Sequence, residues 1–239
     1  MALNDKVSFT WVGHGTWYAT SAAGKQLVLD PWVMNNPVAP EHLKNPERLD
    51  IMAVTHGHFD HIADAVELAK KHSCKVLAIP ETAGWLGKKG VDNVIGFNKG
   101  GTVEVDGIKF TMTHAEHSCG ITDGDQVIYG GEAVGYVIEF ENGFKIYFSG
   151  DTDVFGDMAL IRELHEPDVA FLPIGDGGYV MTVDEAAGMA KAMKPKIAVP
   201  MHFGFYPGVG VPADGERFKK AASPIEVKVF TPVHPFANK

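Results

Sequence analysis

Residues 55–61 read THGHFDH, three histidines and one aspartate within seven positions, directly after the apolar run IMAV. Imidazole nitrogen and carboxylate oxygen together suit Zn, Mn, Fe or Ni better than the soft thiolate-only metals. His56 and His58 are one residue apart, so in an extended loop their rings point the same way. Asp60 and His61 follow on a turn into a helical pattern and can reach a second point, so one loop can feed two metals. Each metal needs further ligands and an open position for water. The chain offers them at other strand ends: His117 after KFTMTHA, Asp151 after FKIYFSG, His202 after IAVPM and Asp30 after QLVL. His117 and His202 can complete one site each, and Asp151 can bridge the pair. That is a two-metal centre of about 3.5–4 Å spacing, suited to clamping an attacking and a leaving oxygen.

Positioning these donors is a task for strand ends, where α/β proteins gather their sites. Strand-like runs occur at 6–12, 25–30, 50–55, 74–80 and 107–115, and again at 133–141, 144–150, 168–175, 196–202 and 226–232. Helical patterns intervene. HIADAVELAKKH places Ile62, Ala65, Val66 and Ala69 on one apolar stripe. TVDEAAGMAKAMKP opens with Thr182 and Glu185 at capping-box spacing and stops before Pro195. MALIREL at 158–164 and GERFKKAA at 215–222 add two more. Both halves mix strands with helices. Two such halves packed sheet on sheet make a four-layer αββα sandwich, and a doubly wound sheet fits the second half nearly as well. The 239 residues suit a single domain over 1–239.

A formal charge of −9, with 21 basic against 30 acidic residues, argues against nucleic acid or an anionic membrane as partner, both of which reward clustered Lys and Arg. A small-molecule substrate is the expected partner, and homo-oligomer formation stays open. Cys74 and Cys119 are too few for a disulfide scaffold, suit a reducing compartment and read as inert buried thiols. The N-terminal stretch has no signal-peptide pattern and no run reaches the roughly 18 apolar residues of a membrane span, so the expected location is cytoplasmic. Asp176, Tyr179 and Phe205 are candidates for the substrate pocket.

HGHFDH matches the HxHxDH signature of the metallo-β-lactamase superfamily, and His117, Asp151 and His202 follow in that family's order. WVGHGT, LVLDPW, TMTHAEHS, IYFSGDTDVFGDM, AFLPIGDGGYVMTVDEAA and AVPMHFGFYP resemble its metal-dependent hydrolase branch that includes ascorbate-6-phosphate lactonase-like proteins. The resemblance implies the αββα fold. It implies one metal on His56, His58 and His117, a second on Asp60, His61 and His202, and Asp151 between them. It favours His117 over His114, three residues earlier, as ligand. It implies that Asp30 braces the histidine loop, and that His14 in GHGT stands near substrate as a proton or hydrogen-bond donor. Asp60 and His14 are thus the expected catalytic residues. His58 stands where flavodiiron-type members carry Glu, which points away from redox chemistry. The activity implied is hydrolysis of a lactone or other ester by hydroxide held between two divalent ions, Zn or Mn first, then Fe or Ni. A phosphodiesterase is the alternative within the family, and a non-catalytic metal-binding sensor or scaffold the alternative outside enzymes.

Overall fold

The structure, a computed structural model, describes residues 6–175, 178–204 and 208–230. Among these the strands in chain order are β1 (Ser8–Gly13), β2 (Thr16–Thr20), β3 (Gln26–Leu29), β4 (Ile51–Ala53), β5 (Lys75–Ala78) and β6 (Val94–Gly96). There follow β7 (Thr102–Val105), β8 (Ile108–His114), β9 (Gly120–Asp123), β10 (Gln126–Tyr129) and β11 (Val134–Glu139). The last are β12 (Lys145–Phe148), β13 (Val169–Pro173), β14 (Ile197–Met201) and β15 (Glu226–Val227). The helices are α1 (Phe59–Ile62), α2 (Ala65–His72), α3 (Pro80–Lys88), α4 (Met158–His165), α5 (Val183–Met193) and α6 (Asp214–Ala221).

Chain contacts divide the molecule into two compact units. In its described part the first holds 6–98 and 118–132, the second 99–117 and 133–230. The first carries a sheet in the order β1-β2-β3-β4-β5-β6, antiparallel through β3 and parallel from β3 onward, plus the β9–β10 hairpin. Its core is aliphatic: Val12, Val28, Met52, Val54, Leu68, Val76 and Leu86 are all buried together. The second unit carries β15-β14-β13-β12-β11-β8-β7, antiparallel from β7 to β12 and parallel from β12 to β15. A doubly wound sheet is mostly parallel, whereas two of five strand pairings in the first sheet and three of six in the second are antiparallel. In the second unit β8, β12, β13 and β14 run in one direction, so the residues that follow them share one sheet edge.

Three local differences from the sequence expectation have clear causes. The apolar stripe at 62–69 reads as one helix, yet α1 and α2 are separated at Ala63 and Asp64. Asp64 is claimed by the preceding loop: its carboxylate accepts from Val33 N–H (2.5 Å) and Met34 N–H (2.7 Å), and its N–H donates to the Pro31 carbonyl (3.0 Å). The run CKVLAIP ends as a strand at Ala78, because Pro80 cannot donate to a ladder but suits the first turn of α3. The run expected at 226–232 pairs only over Glu226–Val227, and its last two positions lie outside the described residues. The capping box of α5 is present as read: Glu185 N–H donates to Thr182 Oγ1 (3.3 Å) and Thr182 N–H to Glu185 Oε2 (2.8 Å).

Candidate metal centre

In the first unit the THGHFDH loop leaves β4 and ends in α1. Behind it lies Asp30, which ends β3 and is fully buried. One carboxylate oxygen of Asp30 accepts Thr55 N–H (2.7 Å), and the other accepts both Thr55 Oγ1–H (2.7 Å) and the His61 Nδ1 proton (2.8 Å). Burial pushes the Asp30 carboxyl above the usual carboxylate range, against the pull of His61 and the two Thr55 bonds. The ring of His56 places Nδ1 at 3.0 Å from Thr55 Oγ1, and His58 places Nε2 at 3.1 Å from Ser118 Oγ.

Oxygen atoms stand at Nδ1 of His61 and His56, leaving Nε2 of each on the other side of the ring, and at Nε2 of His58, leaving Nδ1. His56 Nε2 and His58 Nδ1 lie 3.2 Å apart, and His61 Nε2 lies 3.8 Å from Asp60 Oδ2. The loop thus offers two donor pairs, as its spacing suggested. Two glycines make room for it. A Cβ on Gly15 would stand 2.5 Å from His61 Cε1, and one on Gly57 would stand 2.5 Å from Ile121 Cγ1 and 3.1 Å from the Cys119 carbonyl.

His14 follows the irregular β1–β2 register and has φ of 57°, a left-handed conformation costing an L-residue about 1–2 kcal/mol. Its carbonyl accepts from Trp11 Nε1 (2.8 Å), its ring meets Trp32 edge-on, and its Nε2 lies 2.8 Å from Asp60 Oδ2. The expected proton donor is therefore 1% exposed and seated on Asp60. Asp30 (φ 51°) and His202 (φ 56°) share the left-handed backbone.

In the second unit Asp151 lies three residues beyond β12, His202 directly follows β14 and His117 lies three residues beyond β8. Asp151 Oδ2 lies 3.0 Å from His202 Nε2 and 3.8 Å from His117 Nε2, so one carboxylate oxygen stands by both imidazoles. The segment bearing His117 is fixed to the loop bearing Asp151 by a bridge between Glu116 and Asp153, and by Glu116 N–H donating to Thr152 Oγ1 (2.9 Å). His114 faces elsewhere: its side chain is 43% exposed against 11% for His117, and it contacts Glu116, Lys99 and the edge of Phe155. Gly175, after β13, would bring a Cβ to 2.8 Å from His202 Nδ1 and closer still to its carbonyl.

Of the pocket candidates, Tyr179 is 62% exposed, while Asp176 and Phe205 lie outside the described residues. Thr55, Ser118, Thr152 and Gly15 escaped the sequence reading. Thr55 stood inside the quoted motif, and its position directly before the first ligand was the signal available. Cys119 is buried as expected, against Thr82 Oγ1 (3.9 Å) and the Gly130 carbonyl (3.3 Å). No helix among the described residues is long and apolar enough to cross a membrane.

The donor set fits divalent ions. It consists of imidazoles and carboxylates, most of them buried, with ring nitrogens oriented by hydrogen bonds from behind. Comparison with known proteins agrees. The Beta-lactamase superfamily domain matches residues 25–203. The chain is 52% identical to a UPF0173 metal-dependent hydrolase of Koribacter versatilis over 93% of its own length and 95% of that protein's. It is 47% identical to a UPF0173 metal-dependent hydrolase of Solibacter usitatus over 96% and 99%. Among solved structures it is similar to Igni18, a metallo hydrolase from the archaeon Ignicoccus hospitalis, with TM-score 0.81, 33% identity and 95% of both chains covered. The fold is that of the metallo-β-lactamases, and the chain belongs to the UPF0173 family of metal-dependent hydrolases within the β-lactamase superfamily.

Proposed function

We infer that this chain hydrolyses a lactone or other ester at a centre of two divalent ions, Zn or Mn by the nitrogen and oxygen chemistry of its ligands. His56, His58 and His117 would hold one ion, Asp60, His61 and His202 the other, with Asp151 shared. The observation that carries this reading is the placement of Asp151 Oδ2 beside both His117 and His202, one imidazole assigned to each ion. Two donors per ion from the THGHFDH loop leave each site short of the four ligands a metal of this kind takes. One imidazole apiece and a shared carboxylate make up the difference. Membership of a family of metal-dependent hydrolases supports joining the two sets into one centre.

When bound, the ions would supply a nucleophilic hydroxide near neutral pH and offset the charge that develops on the substrate oxygen. The chain's own residues do the rest. Asp30 and Ser118 keep His61 and His58 in the ligating tautomer. His14, shielded from solvent with its Nε2 2.8 Å from Asp60 Oδ2, can hold a proton at Nε2 and release it to a leaving oxygen. Three arginines in the chain are few for a dedicated phosphate clamp, which favours an uncharged acyl bond over a phosphodiester.

Purified protein loaded with Zn or Mn, tested on lactone, aryl ester and bis-aryl phosphodiester substrates, checks this reading. Turnover of lactone or ester is expected, falling at least 100-fold in His58→Ala and Asp151→Ala. Full metal loading with no turnover on any class would favour a metal-binding sensor. Phosphodiester turnover alone would move the assignment to that bond.

A further inference from the structure

Asp30 is expected to brace its neighbour, but its reach is longer than one histidine. Its carboxylate takes the His61 proton directly at 2.8 Å. Through the Thr55 hydroxyl it also reaches His56: Thr55 Oγ1 lies 2.7 Å from Asp30 Oδ2 and 3.0 Å from His56 Nδ1. Direction follows from the donor inventory. The carboxylate accepts, so Thr55 must donate to it; the hydroxyl oxygen then accepts, so His56 Nδ1 carries the proton. All four residues are buried, at 0–1% exposure, where such bonds are exchanged with water least and an unmade bond costs most. The two ligating rings at the ends of this chain lie 4.1 Å apart between centroids. Thr55 N–H anchors the other Asp30 oxygen at 2.7 Å, so the residue is held at two points and its hydroxyl has one orientation that satisfies both neighbours.

We propose that Thr55 is a positioning residue that extends one buried carboxylate to both metal sites, in the chain His56–Thr55–Asp30–His61. The proposal rests on the assignment of His56 and His61 to different ions. Its consequence is selective. Loss of the Thr55 hydroxyl unhooks His56 alone, whereas loss of the Asp30 carboxylate unhooks both histidines. Supporting groups of this kind are worth about 10–100-fold in metal affinity.

The test uses full-length protein stripped of metal and titrated with Zn²⁺ against a chromophoric chelator, alongside ¹⁵N–¹H correlation spectra of the histidine rings in the metal-free state. Thr55→Val and Thr55→Ala are expected to weaken one of two sites at least 10-fold and leave the other within about 2-fold. His56 should then lose its single Nδ1–H tautomer while His61 keeps its own. Thr55→Ser should restore both the affinity and the His56 spectrum, which a merely space-filling role would not require. Asp30→Ala should weaken both sites. Unchanged affinities with an unchanged His56 spectrum in Thr55→Val and Thr55→Ala would overturn the proposal, as would equal weakening of both sites. Should the wild type bind one ion only, the binuclear reading fails by that count. The relay is then judged by the His56 tautomer, which stays Nδ1–H in Thr55→Ala if the relay is wrong.

Discussion

A histidine can present either ring nitrogen to a metal, and the choice is made by whatever holds the other. Here oxygen atoms of Thr55, Ser118 and Asp30 stand at one ring nitrogen of His56, His58 and His61, respectively. The candidate ligands stood out in the sequence because His and Asp crowd into one loop and recur after distant strands. The groups behind them did not, since Thr, Ser and Gly serve turns and caps everywhere and carry no spacing signature. Gly15 shows the difficulty: its importance is the 2.5 Å left between a would-be Cβ and His61. Gly15→Ala should therefore cut metal content and turnover at least 10-fold while circular dichroism stays that of a folded protein; an alanine protein with full metal would mean His61 is not fixed from that side. The cysteines make a second residue-scale prediction. Burial pushes the Cys74 thiol up to about 11 and raises Cys119 as well, so neither is a ready thiolate near neutral pH. At pH 8 a disulfide-exchange reagent should leave both unmodified in native protein and modify both after unfolding.

Elements deliver donors by ending where the donor is wanted, and the ends are held by small devices. His117 keeps company with Asp151 because the Glu116–Asp153 bridge and Thr152 join two loops of one sheet edge. His202 turns through a left-handed residue against Gly175, where a Cβ would press on it. Gly175→Ala is expected to cost turnover through displaced His202, read as loss of metal with β-sheet content retained. The α5 cap belongs to stability. Thr182→Ala should lower unfolding free energy by about 1 kcal/mol, measured by denaturant titration. Glu185 holds its carboxyl below the usual range because Thr182 N–H and hydroxyl donate to it. Its contribution is therefore present above the unfolded carboxyl value and is lost as pH falls through the lowered folded value. The destabilisation by Glu185→Gln should shrink on acidification. Much at this scale was readable: the strand runs 133–141, 144–150 and 168–175 became β11, β12 and β13. The β9–β10 hairpin was not, since QVIY is exposed at Gln126, Val127 and Tyr129, without a buried face, and pairs with its hairpin neighbour alone. The break at Asp64 was hidden because its cause lies 30 residues upstream, in the backbone of Val33 and Met34.

Across the whole molecule the same plan occurs twice. The main sheet of each unit begins with antiparallel strands and finishes with parallel ones, and in each an aspartate follows the strand where the pairing changes, Asp30 directly after β3 and Asp151 three residues after β12. The sequence carried this in its repeated alternation of strands and helices, though not the mixed pairing, which depends on partners far apart in the chain. Ions that bind the folded chain and not the unfolded one would stabilise it. Removal of metal by a chelator should lower the melting temperature by several degrees, restored by added Zn²⁺ or Mn²⁺. The central claim, a pair of ions sharing Asp151, is tested most directly by elemental analysis of metal-reconstituted wild type beside Asp151→Ala. The expected result is two ions per chain in the wild type and no more than one in the variant. One ion in the wild type, or two in both proteins, would contradict it.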